Sequence, residues 1–141
     1  MKNEKTSPEE WLRGDLLARE LLKRSGLDEQ TLKALLLHGA DDKVTFEEIA
    51  KKLKIQQPGA WKKWKRGNDL VTRSFYTLEL AVYSGILDSK VAQFMADDLT
   101  DYADLARGAG DLESLRDRIE RRMVQIAREL QKRRSAARPR P

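Results

Sequence analysis

With 141 residues, 40% of them hydrophobic and 36% charged, the chain has room for one domain with a real core and is too apolar to be disordered. It has no cysteine, which excludes disulfides and thiolate zinc sites; its single histidine excludes a site of several imidazoles; and no apolar run approaches the ~20 residues of a membrane span. The net charge of +5 is unevenly spread: eight Lys/Arg against one Asp over 51–73, and ten against three over 116–141, flank two against six over 88–111, which points to a polyanionic partner for the basic parts.

The N-terminal stretch MKNEKTSPEEW lacks the apolar centre of a signal peptide, so the expected location is the cytoplasm. Ser7-Pro8-Glu9-Glu10 is a helix start: Ser7 caps, Pro8 suits the first helical position and Glu10 completes a capping box. Trp11, Leu12, Leu16, Leu17, Leu21 and Leu22 then recur at helical spacing, predicting one helix with a core-facing stripe that ends at Gly26. Asp28 caps a second helix with Leu32, Leu35, Leu36 and Leu37, which stops at His38-Gly39. A ring at a helix C-terminus suits the dipole, and no second His, Cys or Ser is placed to work with His38, so its expected role is structural.

The stretch Val44–Gly67, VTFEEIAKKLKIQQPGAWKKWKRG, organises the chain. Thr45-Phe46-Glu47-Glu48 is another capping box, with Val44 and Ile49 spaced as a hydrophobic staple. Phe46, Ile49, Ala50 and Leu53 fall on one side of the helix it starts, and Glu47, Glu48, Lys51 and Lys52 on the other. Ala50 is small enough to let a second helix cross closely. Lys54-Ile55-Gln56 makes a tight turn, and Pro58 opens the next helix. On that helix Ala60, Trp61 and Trp64 share one side, with both tryptophans as expected core anchors. Gly59, Lys62, Lys63 and Arg66 share the other, Lys65 flanks it and Gly67 is the expected terminator. A helix with a cationic face fits the major groove, its N-terminal residues nearest the base edges. Gln56 and Gln57 stand there with amides that can pair with adenine, and Gly59 allows close backbone approach. Lys62, Lys63, Lys65 and Arg66 would meet phosphate or guanine.

After Gly67 the apolar residues Phe75, Tyr76, Leu78, Leu80, Ala81, Val82 and Tyr83 are compatible with a strand of a wing or with a helix. No hairpin turn interrupts them, so a helix is expected over Thr72–Ser84, with Gly85 past its end. It is apolar nearly all round, which predicts a central helix forming the floor of the core. Asp88 or Ser89 starts another helix whose inner face is Val91, Phe94, Met95, Leu99, Tyr102 and Leu105. Asp97, Asp98, Asp101 and Asp104 are expected to form a solvated acidic face rather than a metal site. Gly108-Ala109-Gly110 breaks the chain, and Asp111 caps a last helix with a seam of Leu112, Leu115, Ile119, Met123, Ile126 and Leu130, suited to a bundle or a dimer. The residues after it, ending in Arg-Pro repeats, are expected to be a disordered basic tail able to touch phosphate without regard to sequence.

TFEEIAKKLKIQQPGAWKKWKRG resembles the helix-turn-helix of the Cro/phage-repressor-like transcription regulators. It shares the EEIAKKL first helix, the IQQP that follows and the closing WKRG. Lys54 stands in the turn where that family usually carries Gly, and the interval from Pro58 to Trp64 is one residue longer. The resemblance covers only residues 45–67 and implies a DNA-binding module.

The expected architecture is an all-α, compact multi-helix domain over 1–110 containing the helix-turn-helix at 44–67. A C-terminal amphipathic helix follows at 111–134 and a basic disordered tail at 135–141. The expected function is a homodimeric transcription regulator, paired through the last helix, the first helix or both, that sets helix 58–66 in the major groove of double-stranded DNA. The DNA-binding residues would be Gln56, Gln57, Gly59, Lys62, Lys63, Lys65 and Arg66. Two alternatives remain: an architectural, replication or partition protein that binds DNA with little sequence preference, and a protein-interaction adaptor docking a basic partner on its acidic segment. No nucleophile–base pair, phosphate loop or metal cluster is visible, so no enzyme activity, cofactor, metal or small-molecule ligand is expected.

Overall fold

Side-chain caps set the helix starts. Ser7 Oγ accepts from the Glu10 N–H at 3.1 Å, Asp28 Oδ1 from Thr31 at 2.8 Å, Thr45 Oγ1 from Glu48 at 3.2 Å and Asp88 Oδ1 from Val91 at 3.0 Å. Each such cap is worth about 1 kcal/mol. The computed structural model describes residues 7–41, 43–108 and 111–136. Among these the fold is all-helical, with no strand. The helices are α1 (Pro8–Gly14), α2 (Leu16–Arg24), α3 (Glu29–Ala40), α4 (Phe46–Leu53), α5 (Gln57–Tyr83), α6 (Ser89–Ala106) and α7 (Leu112–Ala136). No helix among the described residues is long and apolar enough to cross a membrane.

Two expected boundaries fail, each for a local reason. The first predicted helix is two, because Asp15 interrupts it: its backbone is extended and its carboxylate accepts from the Ala18 N–H at 2.9 Å, starting α2 afresh. In the second case the chain does not stop at Gly67. The recognition helix and the helix expected from Thr72 are one 27-residue helix, α5. Gly67 is buried in its interior, where the missing side chain serves packing: a Cβ there would lie 2.6 Å from Thr31 Cγ2 and 2.9 Å from Leu35 Cδ1. The helical reading of Thr72–Ser84 otherwise holds. α5 ends at Tyr83, and Gly85 follows with φ +83°.

Contacts divide the chain into two compact units, with the boundary between Leu78 and Glu79. The first is built on α3, α4 and the first part of α5. Ala34, Ile49, Ala50, Leu53 and Ala60 form its core, with Leu37, Val44, Phe46, Ile55 and Trp64 packed around them. Burying Ile49 alone stabilises this unit by roughly 2 kcal/mol. Ala50 on α4 and Ala60 on α5 are both buried in this core. The rings of His38, Phe46 and Trp64 close one side, with centroids 4.9–5.7 Å apart, giving His38 its structural role. Leu12 of α1 is buried, but Leu16 and Leu21 of α2 face solvent.

The second unit is an antiparallel hairpin of α6 and α7 around Val91, Leu115 and Ile119; Leu112 and Leu130, at the ends of the predicted seam, are exposed. The acidic face expected on α6 is solvated only in part, at the exposed Asp97 and the half-buried Asp104. Asp98 and Asp101 are buried and both bind Arg122 of α7, Asp98 Oδ1 lying 2.6 Å from its Nε and Asp101 Oδ2 touching its Nη2. Burial pushes the Asp98 carboxyl above its ordinary range; Arg122 opposes this, and the neighbouring Asp101 and Asp97 add to it. Helix α7 carries the chain to Ala136, so the expected tail of 135–141 begins within it, and residues 137–141 lie outside the described residues.

The largest departure is in the second half of α5. Phe75, Tyr76, Leu78, Leu80, Ala81, Val82 and Tyr83 were expected to be the floor of the core, and all but the half-buried Ala81 are exposed. The sequence pattern reports that these positions avoid charge. It does not report what covers them.

Candidate nucleic-acid interface

The joint between α4 and α5 is a left-handed turn. Lys54 adopts φ 58°, ψ 44°, a conformation that costs a non-glycine residue about 1–2 kcal/mol. The turn is closed by two bonds: the Lys54 N–H donates to the Lys51 carbonyl at 3.2 Å and the Ile55 N–H to the Ala50 carbonyl at 3.0 Å. This is the Schellman pattern, in which the residue after the left-handed one tucks its side chain against the helix it has just left. Ile55 does so, half-buried against the core. A lysine therefore adopts the backbone form that glycine adopts most cheaply.

The turn delivers the chain to Gln56, whose carbonyl accepts from the Ala60 N–H at 3.1 Å and so begins α5. Gln56 and Gln57 are both exposed at this helix N-terminus. Gly59 is half-buried, and a Cβ added there would meet only Ile55 Cδ1, at 3.8 Å. Lys62, Lys65 and Arg66 are exposed on the outer side, with Lys65 Nζ 3.1 Å from Asp69. Lys63 is set apart: it is half-buried towards the start of α3. The Thr31 N–H holds the Asp28 carboxylate below its ordinary range, and the charges of Lys63 and Arg66 add to the effect. Six of the seven predicted residues thus share one end or the outer side of the first half of α5, while Lys63 is half-buried off that side.

The structure moves one further residue. Trp61 was expected to anchor the core beside Trp64, yet it is 44% exposed, while Trp64 packs against His38 and Phe46. The buried side of α5 runs through Ala60, Trp64 and Gly67, at spacings of four and three, which leaves Trp61 off it, between Trp64 and Lys65 in angle. Reading Gly67 as a terminator hid this. Once it is taken as an interior packing residue, the inner side is fixed and Trp61 falls outside it.

The outer side offers three exposed cations, two amides at a helix N-terminus and, at its edge, an aromatic ring. Such a set can neutralise phosphates, pair with base edges and stack on a base. Among the described residues no group of three or more His, Cys, Asp or Glu side chains is placed to hold a metal ion. Comparison of the chain with protein-family models, with curated proteins and with solved structures gave no match.

Proposed function

We propose that the chain binds double-stranded DNA through the first half of α5, as a cytoplasmic, homodimeric transcription regulator and not as an enzyme. One observation carries the reading: a left-handed turn at Lys54 presents a helix whose outer side exposes Gln57, Lys62, Lys65 and Arg66 while Ala60, Trp64 and Gly67 fix its inner side to α3 and α4. A recognition helix needs both properties, a rigid seat behind and cations in front. The adaptor reading loses support, because Asp98 and Asp101, half of its acidic face, are committed to Arg122.

Trp61 favours a second reading, binding with little sequence preference, since an exposed ring among lysines can stack on unpaired bases. Competition between duplex and single-stranded DNA, together with footprinting, separates the two. Discrete protected half-sites support the regulator; uniform protection, or preference for single strands, supports the second.

The test of both is affinity for mixed duplex DNA across salt concentrations, for wild type and for a variant with Lys62, Lys65 and Arg66 all changed to Ala. Binding should weaken as salt rises, and the variant's dependence on log salt should be shallower by about three, one for each lost phosphate contact. Salt-independent behaviour of the wild type, or equal binding by the variant, would exclude this side of α5 as the interface.

A further inference from the structure

We infer that the outer side of α7 is a second contact for the phosphate backbone of nucleic acid, made through Arg121, Gln125, Arg128 and Lys132 without regard to base sequence. Viewed down the helix axis these four fall within an arc of about 60°. They lie on the side away from the buried Leu115 and Ile119, and all four are exposed. From Arg121 to Lys132 the row is roughly 16 Å long.

Helix α7 changes character after Glu120. Up to that point its cations meet acids, as on the earlier helices. Arg116 lies 3.3 Å from Glu120 and Arg118 3.9 Å from Asp101, just as Arg24 lies 2.8 Å from Glu20. From Arg121 to the end of the chain eight Lys/Arg stand against one acid, Glu129. Glu129 is half-buried and shared between Lys90 of α6 and Lys132, each 3.5 Å away. Among the described residues no ion pair claims Arg121 or Arg128. The positions three and four away from Arg128 are Val124, Gln125, Gln131 and Lys132, so no acid is within its reach along the helix. Arg121 Nε donates to the Asp117 carbonyl at 3.2 Å, which leaves its terminal nitrogens for a partner. Arg128 and Lys132, four apart, repel each other until an anion comes between them. The helix dipole does not account for this charge. It acts within the last turn, and all three cations precede that turn, which ends at Ala136.

A straight row of cations suits a linear polyanion. A duplex offers a charge about every 1.7 Å along its axis, so the whole row can be met at once. The planar fork of arginine takes two oxygens of one phosphate, and Gln125 adds an amide donor within the row. An anionic membrane fits less well, because a helix that lies on lipid needs a bare apolar face. The apolar side of α7 is taken up by the hairpin: Leu115 and Ile119 are buried, Met123 and Ile126 half-buried, and only Val124 stands beside the row. The choice of nucleic acid rests on the DNA reading of α5; the location of the contact does not.

Duplex affinity of the full chain across salt concentrations tests this, for wild type, for a variant with Arg121, Arg128 and Lys132 all changed to Ala, and for the α5 variant with Lys62, Lys65 and Arg66 changed to Ala. The α7 variant should keep its helical circular dichroism, bind more weakly, and depend on log salt less steeply by about three. Its loss should be equal on duplexes of unrelated sequence. An α7 variant with the wild-type slope overturns this inference and leaves the α5 reading intact. A loss confined to the α7 variant, with the α5 variant binding like wild type, leaves the inference standing and sinks that reading. A wild type indifferent to salt overturns both. Vesicles of phosphatidylserine and phosphatidylcholine are the other arm: if they capture the wild type but not the α7 variant while the duplex slope stays the same, the surface belongs to lipid and the inference fails.

Discussion

Gly67 rests directly against Thr31. A Cβ on Gly67 would come within 2.6 Å of Thr31 Cγ2, closer than such atoms approach, so α3 and α5 cross there only because residue 67 has no side chain. Thr31 is β-branched and held within a helix, so it has little freedom to turn away. We expect Gly67→Ala to destabilise the first unit by about 1–3 kcal/mol, read as a lower midpoint in guanidinium unfolding.

Gly59, two turns earlier on α5, should behave in the opposite way. An added Cβ meets only Ile55 Cδ1 at ordinary distance, and alanine favours a helix over glycine by about 1 kcal/mol. Gly59→Ala should therefore raise the unfolding midpoint. If the backbone here approaches DNA, the same change should lower duplex affinity, separating binding from stability in one variant.

At Lys54 the left-handed backbone predicts a gain. Lys54→Gly removes a cost of about 1–2 kcal/mol and adds about 0.5–1 kcal/mol of chain entropy to lose on folding, for a net stabilisation near 0.5–1 kcal/mol. Denaturant midpoints at high salt, where the lost charge matters least, would measure it. A fall in stability would show that the lysine side chain contributes more than its backbone costs.

The Asp98–Arg122–Asp101 cluster gives a dependence on pH. Burial raises the Asp98 pKa in the folded chain above its ordinary 3.8. Between the unfolded value and the raised one, the folded chain holds a proton that the unfolded chain has released, so the contribution of Asp98 to stability falls as pH climbs through that window. Asp98→Asn should flatten this slope. Arg122→Met, in contrast, leaves two buried carboxylates without their cation and should cost about 3 kcal/mol at neutral pH. Unfolding midpoints from pH 4 to 7 for the three proteins would check both signs.

Local chemistry was legible in the sequence. The caps at Ser7, Asp28, Thr45 and Asp88 act within three residues of themselves, and a pattern over a few positions reveals them. What escaped depends on distant residues. Gly67 reads as a terminator until Thr31 and Leu35 are known to lie against it. Asp98 and Asp101 read as a solvated face because Arg122, which claims them both, lies more than twenty positions away. The apolar run after Val71 reads as core because hydropathy names surfaces that avoid water without naming their covers. The turn at Lys54 and the exposed side of the helix after it came through better, since they are contiguous in the chain. The exposure of Trp61, expected inside, and the half-burial of Lys63, expected on the outer side, both follow from placing the inner side of α5 without Gly67.

That α5 is unbroken has a mechanical meaning. From Lys62 to Phe75 the helix rises roughly 20 Å within a single compact unit, with no loop to absorb a rotation. A molecule that grips the apolar end thereby sets the angle of the cationic end, as a hand on a shaft aims its tip. Orientation passes from one to the other through helical geometry alone, with no change of conformation between.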